Sequence, residues 1–139
     1  MTDEIRPEHY KVGIETWDLI MSYDLDFFEG NVIKYVSRAG IKTPDRIPDY
    51  TKAVTYAHKL QTYPKSKNES PVAYTITPEE YINSWDLGWL EGRIVELVCA
   101  LSDARRRCDK ASDVLVNAKK NQLIKFTEKL LKKEKMLNE

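Results

Sequence analysis

Apolar residues recur along this chain at spacings of three and four, and no stretch alternates strictly, so the pattern predicts helices and gives no β-hairpin signal. After an N-terminal arm, Ile14, Trp17 and Met21 mark one face of a short first helix. Asp24 or Asp26 can cap a second helix from about Phe27 to Ala39, with Phe28, Val32, Val36 and Ala39 as its apolar stripe. Gly40 stands where a left-handed C-cap is wanted. A third helix is expected from about Asp49 to Gln61, past a loop holding Pro44 and Pro48. Thr77 and Glu80 have capping-box spacing around Pro78, and the helical pattern continues to about Arg107 and resumes from Lys110 to Leu137. In that last stretch Val116, Leu123, Leu130 and Leu137 repeat every seven residues, one side of a helix-pairing seam. The expected fold class is all-α, a helical bundle.

The stretch Ser22–Ser37 reappears 62 residues later as Ser84–Cys99, with six of the sixteen positions identical. Both copies carry an Asp-Leu pair followed by aromatic residues and Glu-Gly. The apolar framework is kept while the polar set changes: Asn31, Lys34 and Arg38 become Arg93, Glu96 and Ala100. Such a pattern predicts two pseudo-repeated three-helix units, the second degenerate in whatever the first one binds. The chain accordingly divides into a functional unit over 1–62, a Pro- and Ser-containing linker over 63–76, and a helical extension over 77–139 that serves assembly.

Composition narrows the class of protein. Hydrophobic residues make up 42% and charged residues 32%, a globular balance, and no apolar run is long enough to span a bilayer. No secretory leader is expected from Met1-Thr2-Asp3-Glu4-Ile5, and Cys99 and Cys108 make no disulfide scaffold or metal knuckle. A soluble intracellular protein without a membrane partner is expected. Lys+Arg and Asp+Glu are 22 each, so no global field favours nucleic acid. Residues 69–104 are nonetheless strongly acidic and residues 105–139 strongly basic, which predicts that they pack together or against a second copy in a homo-oligomer. The aromatic residues lie in the wrong part of the chain to interleave with the basic segment, which counts against nucleic-acid binding there.

On an ideal helix Asn31, Lys34 and Arg38 lie at about 0°, 300° and 340°, one polar stripe of an amide and two cations. Lys42, just past the Gly40 turn, is within reach of the same side. Asp49, Lys52 and Tyr56 share a face of the third helix, so Asp49 is the local carboxylate, able to orient a cation, hold Mg²⁺ or accept a proton. His9 and Tyr10 in the arm can cover a pocket and stack a base, and Glu15 can meet a ribose or base. This set suits an anionic, hydrogen-bonding ligand such as a nucleotide phosphate chain. Neither a P-loop nor a Rossmann glycine fingerprint is present. Glu91, Glu96 and Asp103 lack the spacing of paired metal-binding carboxylates in helical pyrophosphohydrolases.

Four blocks in order resemble the phage SaV-like family: Pro7-Glu8-His9-Tyr10, Ile14-Glu15, Gly30-Asn31-Val32-Ile33-Lys34-Tyr35-Val36-Ser37-Arg38-Ala39-Gly40-Ile41-Lys42, and Asp49-Tyr50-Thr51-Lys52-Ala53-Val54-Thr55-Tyr56. The resemblance covers under half the chain. It implies a protein of the host cytoplasm, since the family includes a small coliphage nucleotide kinase acting on deoxynucleoside monophosphates without a P-loop. It also implies nucleotide-binding positions at His9, Tyr10, Glu15, Asn31, Lys34, Tyr35, Arg38, Lys42 and Lys52, with Asp49, Lys34 and Arg38 as the catalytic set. ATP would be the phosphoryl donor, with Mg²⁺ as a candidate ion. The alternative expectation is a non-catalytic sponge that sequesters a host nucleotide immune signal in the same cationic pocket.

Overall fold

The computed structural model describes residues 13–62, 74–106 and 110–138. Among them are six α-helices and no strand: α1 (Thr16–Tyr23), α2 (Phe27–Arg38), α3 (Ile47–Thr62), α4 (Pro78–Trp85), α5 (Trp89–Arg105) and α6 (Lys110–Leu137). Two aspartates set this division. Asp24 ends α1 and Asp86 ends α4 with φ of 50° and 52°, the left-handed region in which Asp is one of the few side-chain-bearing residues tolerated. Asp86 is therefore the reason the helix expected over 77–107 is instead two helices. The next residues repeat as well: Leu25 N–H donates to Ile20 O, and Leu87 N–H to Ile82 O. A Cβ on Gly30 would meet Ile20 Cδ1 at 2.8 Å and one on Gly92 would meet Ile82 Cγ2 at 3.2 Å, so both glycines admit the same close helix crossing.

The duplication reaches the third helix of each unit. The burial pattern of residues 50–60 recurs position for position over 120–130, with the offset grown from 62 to 70. Those extra residues lengthen α5 and the start of α6. In the first unit Gly40, at φ 84°, turns the chain just after α2, whereas Ser102 stands at the matching place and α5 continues to Arg105.

Packing follows from the repeat. α2 packs on α3, α5 on α6, and α3 on α6, while α1 and α4 lie against α2 and α5. Short connections make α2–α3 and α5–α6 antiparallel. His58 meets Glu128 at 2.8 Å and Gln61 meets Asn121 at 2.9 Å, so α3 and α6 also run antiparallel. His58 and Glu128 occupy matching places in the two units, which puts a pseudo-twofold relation between them. The core joins both units through Val32, Ile33 and Leu60 of the first and Ile94, Leu101 and Leu123 of the second, all fully buried. The acidic and basic segments do pack together, as α5 on α6. The fully buried Tyr81 hydroxyl is 2.8 Å from both Thr16 Oγ1 and Ser37 Oγ, tying α4 to the start of α1 and the end of α2.

Three details depart from the sequence pattern. α1 buries Leu19, Ser22 and Tyr23, while Trp17 and Met21, assigned to its inner face, are exposed. Leu137 is also exposed, so the seam runs through Val116, Leu123 and Leu130 and is completed by the buried polar residues Lys120 and Thr127. Of the linker, residues 74–76 are described, and Ile76 N–H donates to Ser22 Oγ at 3.2 Å.

The least predictable feature is a buried charge cluster. Asp26 and Glu29 form the capping box of α2, Glu29 N–H donating to Asp26 Oδ1 at 2.7 Å and Asp26 N–H to Glu29 Oε1 at 2.9 Å. Glu29 is wholly buried, and its second oxygen lies 2.5 Å from Arg105 Nη2 at the end of α5. Lys120 of α6 is buried beside them. Burial pushes the Glu29 carboxyl above the usual carboxylate range while Arg105 opposes it, and burial followed by Arg105 lowers the Lys120 ammonium. Removing one partner of such a pair leaves an uncompensated buried charge, which costs about 3–5 kcal/mol. Arg105→Met should lose about that much in urea unfolding at neutral pH. Without the guanidinium the Glu29 pKa rises further, so the folded variant keeps a proton that the unfolded chain releases above the ordinary value of 4.5. The stability of Arg105→Met should then fall as pH rises from that value toward neutrality. A loss that does not change with pH would contradict the assignment.

Candidate functional site

The polar stripe of α2 and the polar stripe of α3 meet across the groove between the two antiparallel helices. Their spacings make this possible: Lys34 and Arg38 are one turn apart on α2, and Asp49, Lys52 and Tyr56 follow one another along α3 in the opposite direction. Tyr35 lies at the centre. Its ring stacks on Tyr56 at 5.8 Å between centroids and 11° between planes. Three cations surround that ring: Arg38 Cζ at 4.8 Å from its centroid, Lys34 Nζ at 5.1 Å and Lys52 Nζ at 5.2 Å. Asp49 Oδ1 is 3.6 Å from Arg38 Nε, with both side chains largely shielded from solvent.

The cluster gathers like charges. A cation over an aromatic face gains about 0.5–1 kcal/mol at a partly exposed site. Like charges gathered at this range repel by an amount on the order of 1 kcal/mol per pair. Lys34, Arg38 and Lys52 thus gather three positive charges around one ring, with the Asp49 carboxylate against Arg38. Arg38 supplies a fork held by Asp49, and the two lysines supply point charges.

The structure thus brings together five of the residues expected from sequence: Lys34, Tyr35, Arg38, Asp49 and Lys52. Asn31 lies one turn before Lys34 on the same stripe, and its Nδ2 donates to Phe27 O at 2.7 Å within its own helix. Lys42 stands exposed in the turn past Gly40 and is not drawn into the cluster around Tyr35. Glu15 takes the N-cap position of α1, at the end of the bundle that holds Arg38 and Asp49, as the Thr16–Tyr81–Ser37 bridge shows. His9 and Tyr10 lie outside the described residues. The member of this surface that the sequence pattern missed is Phe27, 68% exposed at the start of α2 and 5.7 Å from the Tyr56 ring. Its signal was its place on the stripe, four residues before Asn31.

The second unit shows what the groove looks like without its charges. Arg93 Nη1 and Glu96 Oε2, in place of Asn31 and Lys34, bond to each other at 2.7 Å on the surface. Leu97 and Phe126 replace Tyr35 and Tyr56, and Gln122 replaces Lys52. Among the described residues no group of three or more His, Cys, Asp or Glu is placed to hold a metal ion. No described helix is long and apolar enough to cross a membrane.

Residues 5–58 are similar to a family described as a protein of unknown function, DUF3310. No curated protein and no solved structure matches the chain. The family match holds every candidate residue and ends before the second unit begins, so it coincides with the unit that carries the charges.

Cations held by a ligand requirement, and not by the fold, can be removed at little cost to stability. Lys34→Met and Lys52→Met should each leave the unfolding free energy of the ligand-free protein within about 0.5 kcal/mol of wild type. A loss above about 1 kcal/mol in both would make them structural and contradict this account of the groove.

Proposed function

We propose that the chain binds a nucleotide by its phosphates in the α2–α3 groove and transfers a phosphoryl group from ATP to a nucleoside monophosphate without a P-loop. The observation that carries this reading is the convergence of Lys34, Arg38 and Lys52 on the Tyr35 ring, with Asp49 paired to Arg38. Phosphoryl transfer depends on positioning and on neutralising charge over the transferred group, which three cations supply. An acceptor monophosphate is already an anion. Its oxygen attacks the γ-phosphorus, the bond to the bridging oxygen breaks, and ADP leaves, so no general base is required. Asp49 then acts by holding Arg38, and it is also the carboxylate that a Mg²⁺ ion carried in on phosphates would meet. The resemblance to the phage SaV-like family supports the same reading and, with it, a phage origin and action in the host cytoplasm.

A second reading is favoured by one feature. The matching face of the second unit is closed by the Arg93–Glu96 pair, so it adds no second cation cluster where a kinase must hold two nucleotides. A sponge that sequesters one host nucleotide signal needs only the cluster on the first unit.

Incubation with ATP, Mg²⁺ and a panel of nucleoside monophosphates and cyclic nucleotides separates the two. New diphosphates in the filtrate are the expected result, and Arg38→Ala should reduce their rate of formation by about a hundredfold, the scale of a lost transition-state contact. Glu96→Lys should leave the rate within about twofold of wild type. A nucleotide depleted unchanged and recovered on heating would establish the sponge. No turnover and no depletion would remove the site.

A further inference from the structure

The groove is graded along its length. Taking α2 as 100° per residue, Phe27 falls within about 40° of Asn31, Lys34 and Arg38, so the four make one line on the helix. The line begins with aromatic rings: Phe27 meets Phe28 at 5.8 Å and Tyr56 at 5.7 Å, edge to face. Phe27 itself is 68% exposed. Next comes Asn31, whose amide donates one N–H to Phe27 O at 2.7 Å and carries a second N–H and the Oδ1 acceptor besides. The cations follow, from Lys34 and Lys52 to Arg38. From Phe27 to Lys34 the rise along the axis is about 10 Å, and to Arg38 about 16 Å.

We infer that the groove takes its nucleotide in one direction, with the base stacked on Phe27, the sugar against Asn31 and the phosphates among Lys34, Lys52 and Arg38. The inference rests on the nucleotide-binding reading above and adds to it the place of the base. Stacking uses the π-face that every base has, so Phe27 supplies affinity without choosing among bases. The Asn31 amide, which can donate as well as accept, meets a sugar hydroxyl. The order of aromatic ring, amide and cations along one line matches the order of base, sugar and phosphate in a nucleotide, and its charge end matches the anionic end.

Calorimetry with ATP and with inorganic tripolyphosphate tests this directly. Wild type should bind both, ATP more tightly. Phe27→Ala should weaken ATP by about tenfold, within the range of one base stacked on one ring, and leave tripolyphosphate within twofold. Phe27→Trp should keep ATP affinity. Lys34→Ala should weaken both ligands. An equal effect of Phe27→Ala on the two ligands, or none on either, would overturn the placement of the base while leaving the phosphate site standing. A shift of the Phe27→Ala elution volume from oligomer to monomer would overturn it too, by assigning the ring to a subunit contact. Failure of wild type to bind either ligand would remove the nucleotide reading itself.

Discussion

Glu29 caps its own helix with one carboxylate oxygen and is wholly buried, a placement tolerable only because α5 of the other unit ends on Arg105 beside it. That pairing fixes the start of α2 against the end of α5. Lys120 of α6 adds a second cation from the same unit. With α2 so anchored, and its far end tied through Ser37 and Tyr81 to α1, the exposed face of α2 has little freedom to move. The cation cluster sits on that face, one turn apart at Lys34 and Arg38. Preorganised charges of this kind cost no rearrangement when an anion arrives.

The two units provide an internal comparison. Both use an aspartate in a left-handed turn, a glycine at the helix crossing and the same burial pattern on the last helix. The framework is therefore what both need to fold. The first unit holds three cations around a tyrosine, and the second pairs Arg93 with Glu96 at the surface. Since the framework stands in both, the cations are not required by the packing of three helices. The similarity to the DUF3310 family falls on the unit that keeps them.

Much of this was legible in the chain because helical spacing is local information. The all-α class, the capping box at Thr77, and the separate faces of Lys34 with Arg38 and of Asp49 with Lys52 follow from residues three, four and seven apart. The choice of Asp26 over Asp24 as cap and the meeting of the two faces came from the fold. The break at Asp86 was hidden because propensity does not announce a left-handed aspartate, although the repeat placed it opposite Asp24. The inner face of α1 was misassigned because Trp17 and Met21 are apolar by type, while Ser22 is buried by its bond to Ile76. The burial of Glu29, Arg105 and Lys120 had no signal in the sequence pattern, since long-range partners 76 and 15 residues apart leave no local trace. Phe27 was read as the start of a helix because burial, not exposure, is the ordinary expectation for its side chain.

The central claim is that the groove between α2 and α3 of the first unit is the anion site. A backbone amide NMR titration with ADP tests it most directly, because the second unit serves as the control within the same molecule. The account predicts shifts concentrated over residues 27–38 and 49–56, with the matching residues 89–100 and 119–126 unmoved. Equal shifts in both units, or shifts confined to the basic face of α6, would contradict it.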